Sequence, residues 1–520
     1  MKLNFYTLTT LIIKDNPILL LIMGIPVYFK TLVQEYQDSI LIKTNLEKVH
    51  SLFLDLNCAI HPCCQGETDE EVMIQKIISK IEELIEYTNV EDLLYIAIDG
   101  IPPKGKMKQQ RMRRYKTILE NKIWDTNAIS PGTHFMNKLN LRLDTFSSDK
   151  VKKIIISDSS ERGEGEHKIL QYIKQNNFKN SVIYGLDADL IMLSIVSQRE
   201  NIYLLRERTE YNIEDTENDY IYMNIDKLKD FIVKDIAGSH TNGAKEIILN
   251  DYIFMCFLLG NDFINHLVSL SLRYRGYDYL IETYKHLQER YQGYFRLIDT
   301  NLHHCIHLTF FKEFIYELSL KEDKFLEKRK MIREKQYKMT YSKYHDSFDE
   351  FKKSLPDQSQ TVSLEDINNY QRRYDCPNEE DYEKGKEMLN NLPILFWPQE
   401  KKLKPKKDPK LCKDFLDSLI WTSHYYFKEC NNWKWATAYN HTPSLKDLSQ
   451  YLNSLNQLSF DKDDKEYTYE ELLSFIFPPQ SQKLHNYKVK GEEKSKEYQL
   501  MIEPYYCRYL WECSIEFFSM

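Results

Sequence analysis

From about residue 24 to residue 270, short β-branched runs alternate with stretches whose apolar residues recur at i, i+3 and i+4, and no other feature constrains the fold as strongly. Leu52 to Asp55, Leu93 to Ile98, Lys153 to Ser157, Val182 to Leu186 and Ile202 to Leu205 read as strands separated by helices. That order predicts an α/β fold, a mainly parallel sheet flanked by helices. In such a sheet the reactive crevice lies beyond the carboxyl ends of the strands, so the residues that close the strands bear on function.

Acidic residues recur at those positions. Asp55 and Asp99 close two of the runs, and Asp187 and Asp189 follow a third where a helical pattern starts. Glu164 and Glu166 follow the loop Asp158 to Gly163, also at a helix start, and Asp262 follows an apolar helix after Gly260-Asn261. A lone acid at a strand end is an ordinary N-cap or turn residue. Seven in one crevice are different, because two unit charges about 4 Å apart repel by roughly 4 kcal/mol at an effective dielectric near 20. A divalent cation relieves that repulsion, and oxygen-only donors suit Mg²⁺ or Mn²⁺. A pair of such ions can activate water and stabilise the leaving oxygen of a phosphodiester.

The formal net charge is −8, yet Lys104 to Lys116 holds seven basic residues in thirteen and no acid. Lys106, Gln110, Arg113 and Arg114 share one face of a helix there and can converge on one anion. Arg offers paired planar donors to phosphate and Lys a point charge. An isolated run of this kind is a solvated basic helix or a localisation patch; one short loop from a metal crevice it reads as a terminal-phosphate pocket. Lys108 and Arg111 point off that face, towards solvent or a nucleic-acid backbone.

A chain of 520 residues exceeds one ordinary core. Residues 301–395 are charged and poor in aliphatic side chains, as expected of a helical linker or insertion, and 396–520 form a second, largely helical, aromatic-rich region. The ten cysteines include no CxxC pair, which suits reduced thiols in a cytosolic or nuclear protein and gives no zinc signature. The apolar stretch Leu8 to Ile25 is broken by Lys14-Asp15-Asn16-Pro17 and reads as neither anchor nor signal peptide.

Several motifs together resemble the Xrn family of 5′→3′ exoribonucleases. They are Met23-Gly-Ile-Pro26, Phe53-Leu-Asp-Leu-Asn57 with His61, Asp99 to Arg114, Ser130-Pro-Gly-Thr133 with Phe135-Met136, Gly163-Glu-Gly-Glu-His-Lys-Ile169, Gly185-Leu-Asp-Ala-Asp-Leu-Ile191 and Leu259-Gly-Asn-Asp-Phe263. The resemblance implies a PIN or flap-nuclease-like catalytic core over residues 23–300, with 396–520 completing the active-site channel. It implies that Asp55, Asp99, Glu164, Glu166, Asp187, Asp189 and Asp262 hold two Mg²⁺ or Mn²⁺ ions, and that Lys106, Gln110, Arg113 and Arg114 bind the 5′ monophosphate of single-stranded RNA.

His61 matches the family's base-stacking histidine, although read alone it is a structural residue. Trp433 or Trp435 is the candidate for the opposing ring, against a core-packing reading, since Ala436-Thr437-Ala438 departs from the family's usual Tyr and Pro. The resemblance further implies a monomer without membrane attachment that releases 5′ mononucleotides in RNA decay. It implies work in the cytoplasm, with the nucleus as alternative, and decapping factors as partners. Residues 1–22 precede the family's usual start, and the family's larger carboxy-terminal domains do not follow residue 520. The competing readings are a flap-endonuclease-like DNA nuclease and a non-catalytic RNA-binding scaffold.

Overall fold

The computed structural model describes residues 39–42, 44–116, 123–208, 218–237, 245–267, 269–270, 272, 275–328, 331–332, 396–398, 408–439, 442–478, 481 and 500–502. The segment 1–22, the Met23 to Pro26 motif and most of 333–407 lie outside them.

A seven-stranded sheet forms the centre: β1 (Leu41–Ile42), β2 (Val49–Asp55), β3 (Val90–Ala97), β4 (Lys153–Ser157), β5 (Ser181–Tyr184), β6 (Ile202–Glu207) and β7 (Tyr220–Asn224), in the spatial order β1-β7-β6-β5-β2-β3-β4. The five strands from β2 to β6 pair in parallel, as the β-branched runs predict. β7 pairs antiparallel with both β6 and β1. This edge was not predicted, because Tyr220–Asn224 is short and buries apolar or aromatic residues on both faces, Tyr220 and Tyr222 on one and Ile221 and Met223 on the other.

Alternation within β2 shows how the sheet is covered. Leu52 and Leu54 enter one core and Phe53 the other, so helices bury both faces. Helix α1 (Asn57–Cys64) follows β2 directly. Helix α2 (Glu70–Thr88) is capped by Asp69, whose side chain accepts from the Glu71 N–H, and ends at Asn89 with a left-handed φ of 49°. Its apolar face, Met73, Ile77, Ile81 and Leu84, is fully buried.

The chain crosses from edge strand β4 to β5 on the far side of β2, so β2 and β5 lead their connections in opposite directions. The gap between their carboxyl ends is the switch point of the sheet, where open α/β folds bind ligands.

Residues 308–319, assigned from sequence to the charged linker, form helix α10 of the count that runs α3 (Lys104–Lys116), α4 (His134–Asp144), α5 (Gly165–Gln175), α6 (Ala188–Val196), α7 (Ile225–Ala237), α8 (Lys245–Phe257), α9 (Gly276–Arg290), α10 (Leu308–Ser319). Phe311, Phe314, Ile315 and Leu318 of α10 are buried in one core with Leu445, Leu448 and Leu452 of α12 (Leu445–Asn453). The same core includes Leu416, Leu419, Ile420 and Trp421 of α11 (Pro409–Phe427). The boundary expected at residue 300 therefore crosses a continuous core; charge density on the exposed face of this region concealed its apolar stripe. Among the described residues no helix is long and apolar enough to cross a membrane.

Candidate active site

Four of the seven acids stand at two helix starts. Glu164 occupies the N-cap of α5 with Glu166 in its first turn, and Asp187 occupies the N-cap of α6 with Asp189 in its first turn. Neither N-cap side chain makes a capping hydrogen bond. The carboxylates are turned into the crevice, which removes the ordinary N-cap reading at Glu164 and Asp187, while the helix ends contribute partial positive charge.

The other three acids are positioned as firmly. Asp55 ends β2 and is buried. Asp99 accepts from the Gly165 N–H at 2.7 Å, and its own N–H donates to Asn57 Oδ1 at 2.9 Å. Asp262 follows a tight turn after α8, in which Gly260 takes φ 90° and Asn261 Oδ1 accepts from the Phe263 and Ile264 N–H groups, both at 2.9 Å. A Cβ on Gly260 would stand 2.9 Å from the His266 nitrogen, so this turn requires glycine.

Mutual repulsion links all seven. Burial first, then the charges of Asp99 and Asp187, raises the Asp55 pKa well above the carboxylate range. Glu166 is raised well above it by burial and then Asp189, and Asp189 by burial and then Asp262. Burial pushes Asp187 up to about 6. Glu164 is raised by burial, with Asp99 adding to the shift and Lys106 opposing it.

Lys106 supplies the buried ammonium that pairs directly with these acids, while buried Lys168 acts on Asp99 through its charge. The Lys106 Nζ lies 2.5 Å from Glu164 Oε2 and 2.7 Å from Asp262 Oδ2. Burial works against its charge, but Asp262, Glu164, Glu166 and Asp189 outweigh that and hold its pKa well above the usual lysine value. These two ammonium groups leave most of the negative charge uncompensated. Asp55 Oδ1, Glu166 Oε2 and Asp189 Oδ1 are buried without a hydrogen-bond partner, a cost of a few kcal/mol for each charged group unless a cation meets it. Oxygen donors orphaned in a crevice fit divalent cations.

The rest of the basic helix is less open than its sequence suggests. On α3, Gln110 is buried, and buried Arg114 donates to Asn127 Oδ1 at 3.2 Å and to the Ile129 carbonyl at 3.3 Å. Arg113 is half-buried, and its charge lowers the pKa of Asp187, which places it beside the acids. The expectation that Lys108 and Arg111 face solvent or nucleic acid is corrected. Lys108 donates to the Thr437 carbonyl at 3.0 Å, and the Arg111 guanidinium sits 5.0 Å from the Phe475 ring centre. Met107 is buried against Leu472, Leu473 and Ile476 of α13 (Tyr469–Ile476), so α3 is covered by the second region on the side away from the acids.

That region also reaches the crevice. Tyr425 of α11 donates to Glu164 Oε1 at 2.6 Å, and its ring lies 3.7 Å from that of buried His167. Burial and the Lys106 charge hold His167 neutral, so it adds no countercharge. Trp433 is buried and accepts at its carbonyl from the Lys104 N–H at 2.9 Å, with Arg162 over its ring at 4.9 Å. Trp435 is half-buried and stacks on Trp421 with ring centres 5.3 Å apart. His61 is exposed on α1.

Sequence reasoning missed Asn57, Cys58, Lys168 and Tyr425. Lys168 donates to the Ile98 carbonyl at 2.8 Å and the Asp158 carbonyl at 2.7 Å, tying the end of β3 to the loop before Glu164. Asn57 and Lys168 lie within motifs already singled out, and Cys58 directly follows the first of them. Tyr425 falls in the aromatic-rich region 396–520, and nothing local pairs it with Glu164.

Acids converging at the switch point of a mainly parallel sheet, with orphaned oxygens among them, define a PIN-like α/β protein with a candidate cation site. Residues 23–123 and 116–208 match the family model described as XRN 5'-3' exonuclease N-terminus, and residues 244–392 and 396–488 that described as Xrn1 helical domain. The chain belongs to the Xrn family.

Among curated relatives, 5'-3' exoribonuclease 1 of Saccharomyces cerevisiae is 24% identical over 89% of this chain and 40% of its own length. The 5'-3' exoribonuclease 2 homolog of Drosophila melanogaster is 25% identical over 88% of this chain and 64% of its own. The 5'-3' exoribonuclease 2 of Cryptococcus neoformans is 30% identical over 46% of this chain and 29% of its own. The chain thus spans less than two thirds of the length of these relatives.

Proposed function

We propose that this protein is a metal-dependent 5′→3′ exoribonuclease that hydrolyses 5′-monophosphorylated single-stranded RNA to 5′ mononucleotides in RNA decay. The observation that carries the reading is the gathering of seven acids, three with orphaned buried oxygens, beside a helix that presents Arg113. Asp55, Asp99, Glu164, Glu166, Asp187, Asp189 and Asp262 would hold Mg²⁺ or Mn²⁺, which when bound supplies the positive charge that activates water and stabilises the leaving oxygen.

The protein's own groups position the strand. Arg113 grips the leading phosphate, with Gln110 and Arg114 behind it, and Lys106 pairs with Glu164 and Asp262 and holds them in place. A phosphate held at a fixed place on α3 sets the scissile bond at a fixed distance from the acids, so one nucleotide leaves per cycle. His61, with Trp433 or Trp435, is the proposed stacking platform for the first bases. The proposed setting is the cytoplasm, as a monomer supplied by decapping.

The test is incubation of the purified protein with Mg²⁺ and RNAs that differ only at the 5′ end, followed by product identification. The reading expects mononucleotides from 5′-phosphorylated RNA alone, loss of hydrolysis on chelation, and at least about 100-fold loss in Asp189→Asn with RNA binding retained. Internal cleavage, or equal hydrolysis of 5′-hydroxyl RNA, would remove it.

A further inference from the structure

Among the described cysteines, Cys58 has its sulfur against the acid cluster. Its Sγ donates to Asp55 Oδ2 at 3.2 Å and accepts from the Leu186 N–H at 3.4 Å. One ligand atom each from Asp55, Cys58 and Asp187 lie within 4.8 Å of one another. We propose that Asp55, Cys58 and Asp187 form a mixed oxygen and sulfur site for a thiophilic divalent cation, Zn²⁺ before others, at the edge of the carboxylate cluster.

Three observations carry this. The donor atoms, all within 4.8 Å of one another, are near enough to close around one ion with bonds of about 2.0–2.3 Å. Asp55 Oδ1 is buried without a partner while Oδ2 is occupied by the thiol, so the carboxylate has an acceptor to spare on the crevice side. The Leu186 amide directed at the sulfur stabilises a coordinating thiolate, as second-shell donors do at metal sites.

Local chain geometry produces the arrangement. β2 ends at Asp55 and α1 starts at Asn57, so the first turn of the helix folds Cys58 back over the acid three residues earlier.

The chemistry separates two kinds of ion. Mg²⁺ takes hard oxygen donors and gains nothing from sulfur, whereas Zn²⁺ binds Cys sulfur and carboxylate oxygen together. On binding, the S–H bond breaks, its proton passes to solvent, and a sulfur–zinc bond forms without change of oxidation state. Zn²⁺ held there occupies Asp55 and Asp187 and competes with Mg²⁺. This inference rests on the acids being a cation site, as proposed above, but its test is read without RNA.

The experiment titrates the full-length protein with Co²⁺, a spectroscopic substitute for Zn²⁺, and then displaces it with Zn²⁺. The expected result is a near-ultraviolet sulfur-to-cobalt charge-transfer band that disappears in Cys58→Ser, persists in Cys63→Ser, and is lost on adding Zn²⁺. Asp187→Asn should require at least about tenfold more Co²⁺ for half the band. No band in the wild type, or an equal band in Cys58→Ser, overturns the proposal, and so does an unchanged midpoint in Asp187→Asn. Hydrolysis with Mg²⁺ is scored separately: RNA cleavage without a cobalt band removes this site alone, whereas a band without cleavage removes the nuclease reading.

Discussion

The Tyr425 hydroxyl donates to Glu164 Oε1 at 2.6 Å, joining groups 261 positions apart. Glu164 is thereby held at both oxygens, by Tyr425 on one and Lys106 on the other. The second region is part of the site. Tyr425→Phe should lower the rate of RNA hydrolysis by about tenfold and stability by about 1.5–3 kcal/mol, the range for a hydrogen bond to a charged group. Turnover assays and thermal melts check this, and wild-type values in both would show that the contact does not position Glu164.

After Lys106, Arg113 is the second basic side chain of α3 whose charge acts on Asp187. Arg113→Ala should reduce the preference for 5′-phosphate over 5′-hydroxyl RNA by about tenfold or more, since a charge-assisted contact contributes roughly 1.5–3 kcal/mol. Competition between the two RNAs in one reaction measures the ratio. An unchanged ratio would move the phosphate pocket elsewhere.

Gly100 lies against the loop that leads to Glu164. Its N–H donates to the Gly163 carbonyl at 2.8 Å, and a Cβ there would fall 1.7 Å from the Glu161 carbonyl oxygen. Gly100→Ala must push the Asp158 to Gly163 loop away from β3, at a cost of roughly 1–3 kcal/mol. A lower melting temperature together with weaker hydrolysis is expected; an unaltered melt would mean the loop yields freely.

His424 should make the protein acid-sensitive through a group outside the acid cluster. Burial first, then Lys428, His304 and His303, lowers its pKa from 6.5 to about 4. The unfolded chain takes up a proton near 6.5 that the folded chain resists until near 4, so the stabilisation is present above pH 6.5 and is lost as pH falls towards 4. On the order of 1–2 kcal/mol should be gone by pH 5. Denaturant melts at pH 7.5 and pH 5 should differ less in His424→Phe than in the wild type, and equal pH slopes would assign the effect to other groups.

The acids could be read from sequence because a parallel strand ends at a known edge of its sheet, so an Asp that closes β2 or follows β5 is already located. The helical period likewise put Lys106 and Arg113 on one face of α3. Which side of α3 meets the acids and which meets α13 depends on packing between distant segments, so Lys108 and Arg111 were assigned to solvent. The Tyr425 to Glu164 contact was hidden for the same reason. Strand β7 escaped because Tyr220–Asn224 lacks the alternation that marks a half-buried strand.

Lys106 carries a last implication, for how the molecule matures. Because a tethered ammonium already sits between Glu164 and Asp262, part of the countercharge that a newly synthesised chain needs to close its crevice travels with the chain itself. The lysine acts as a resident placeholder that offsets some of the repulsion across the cradle.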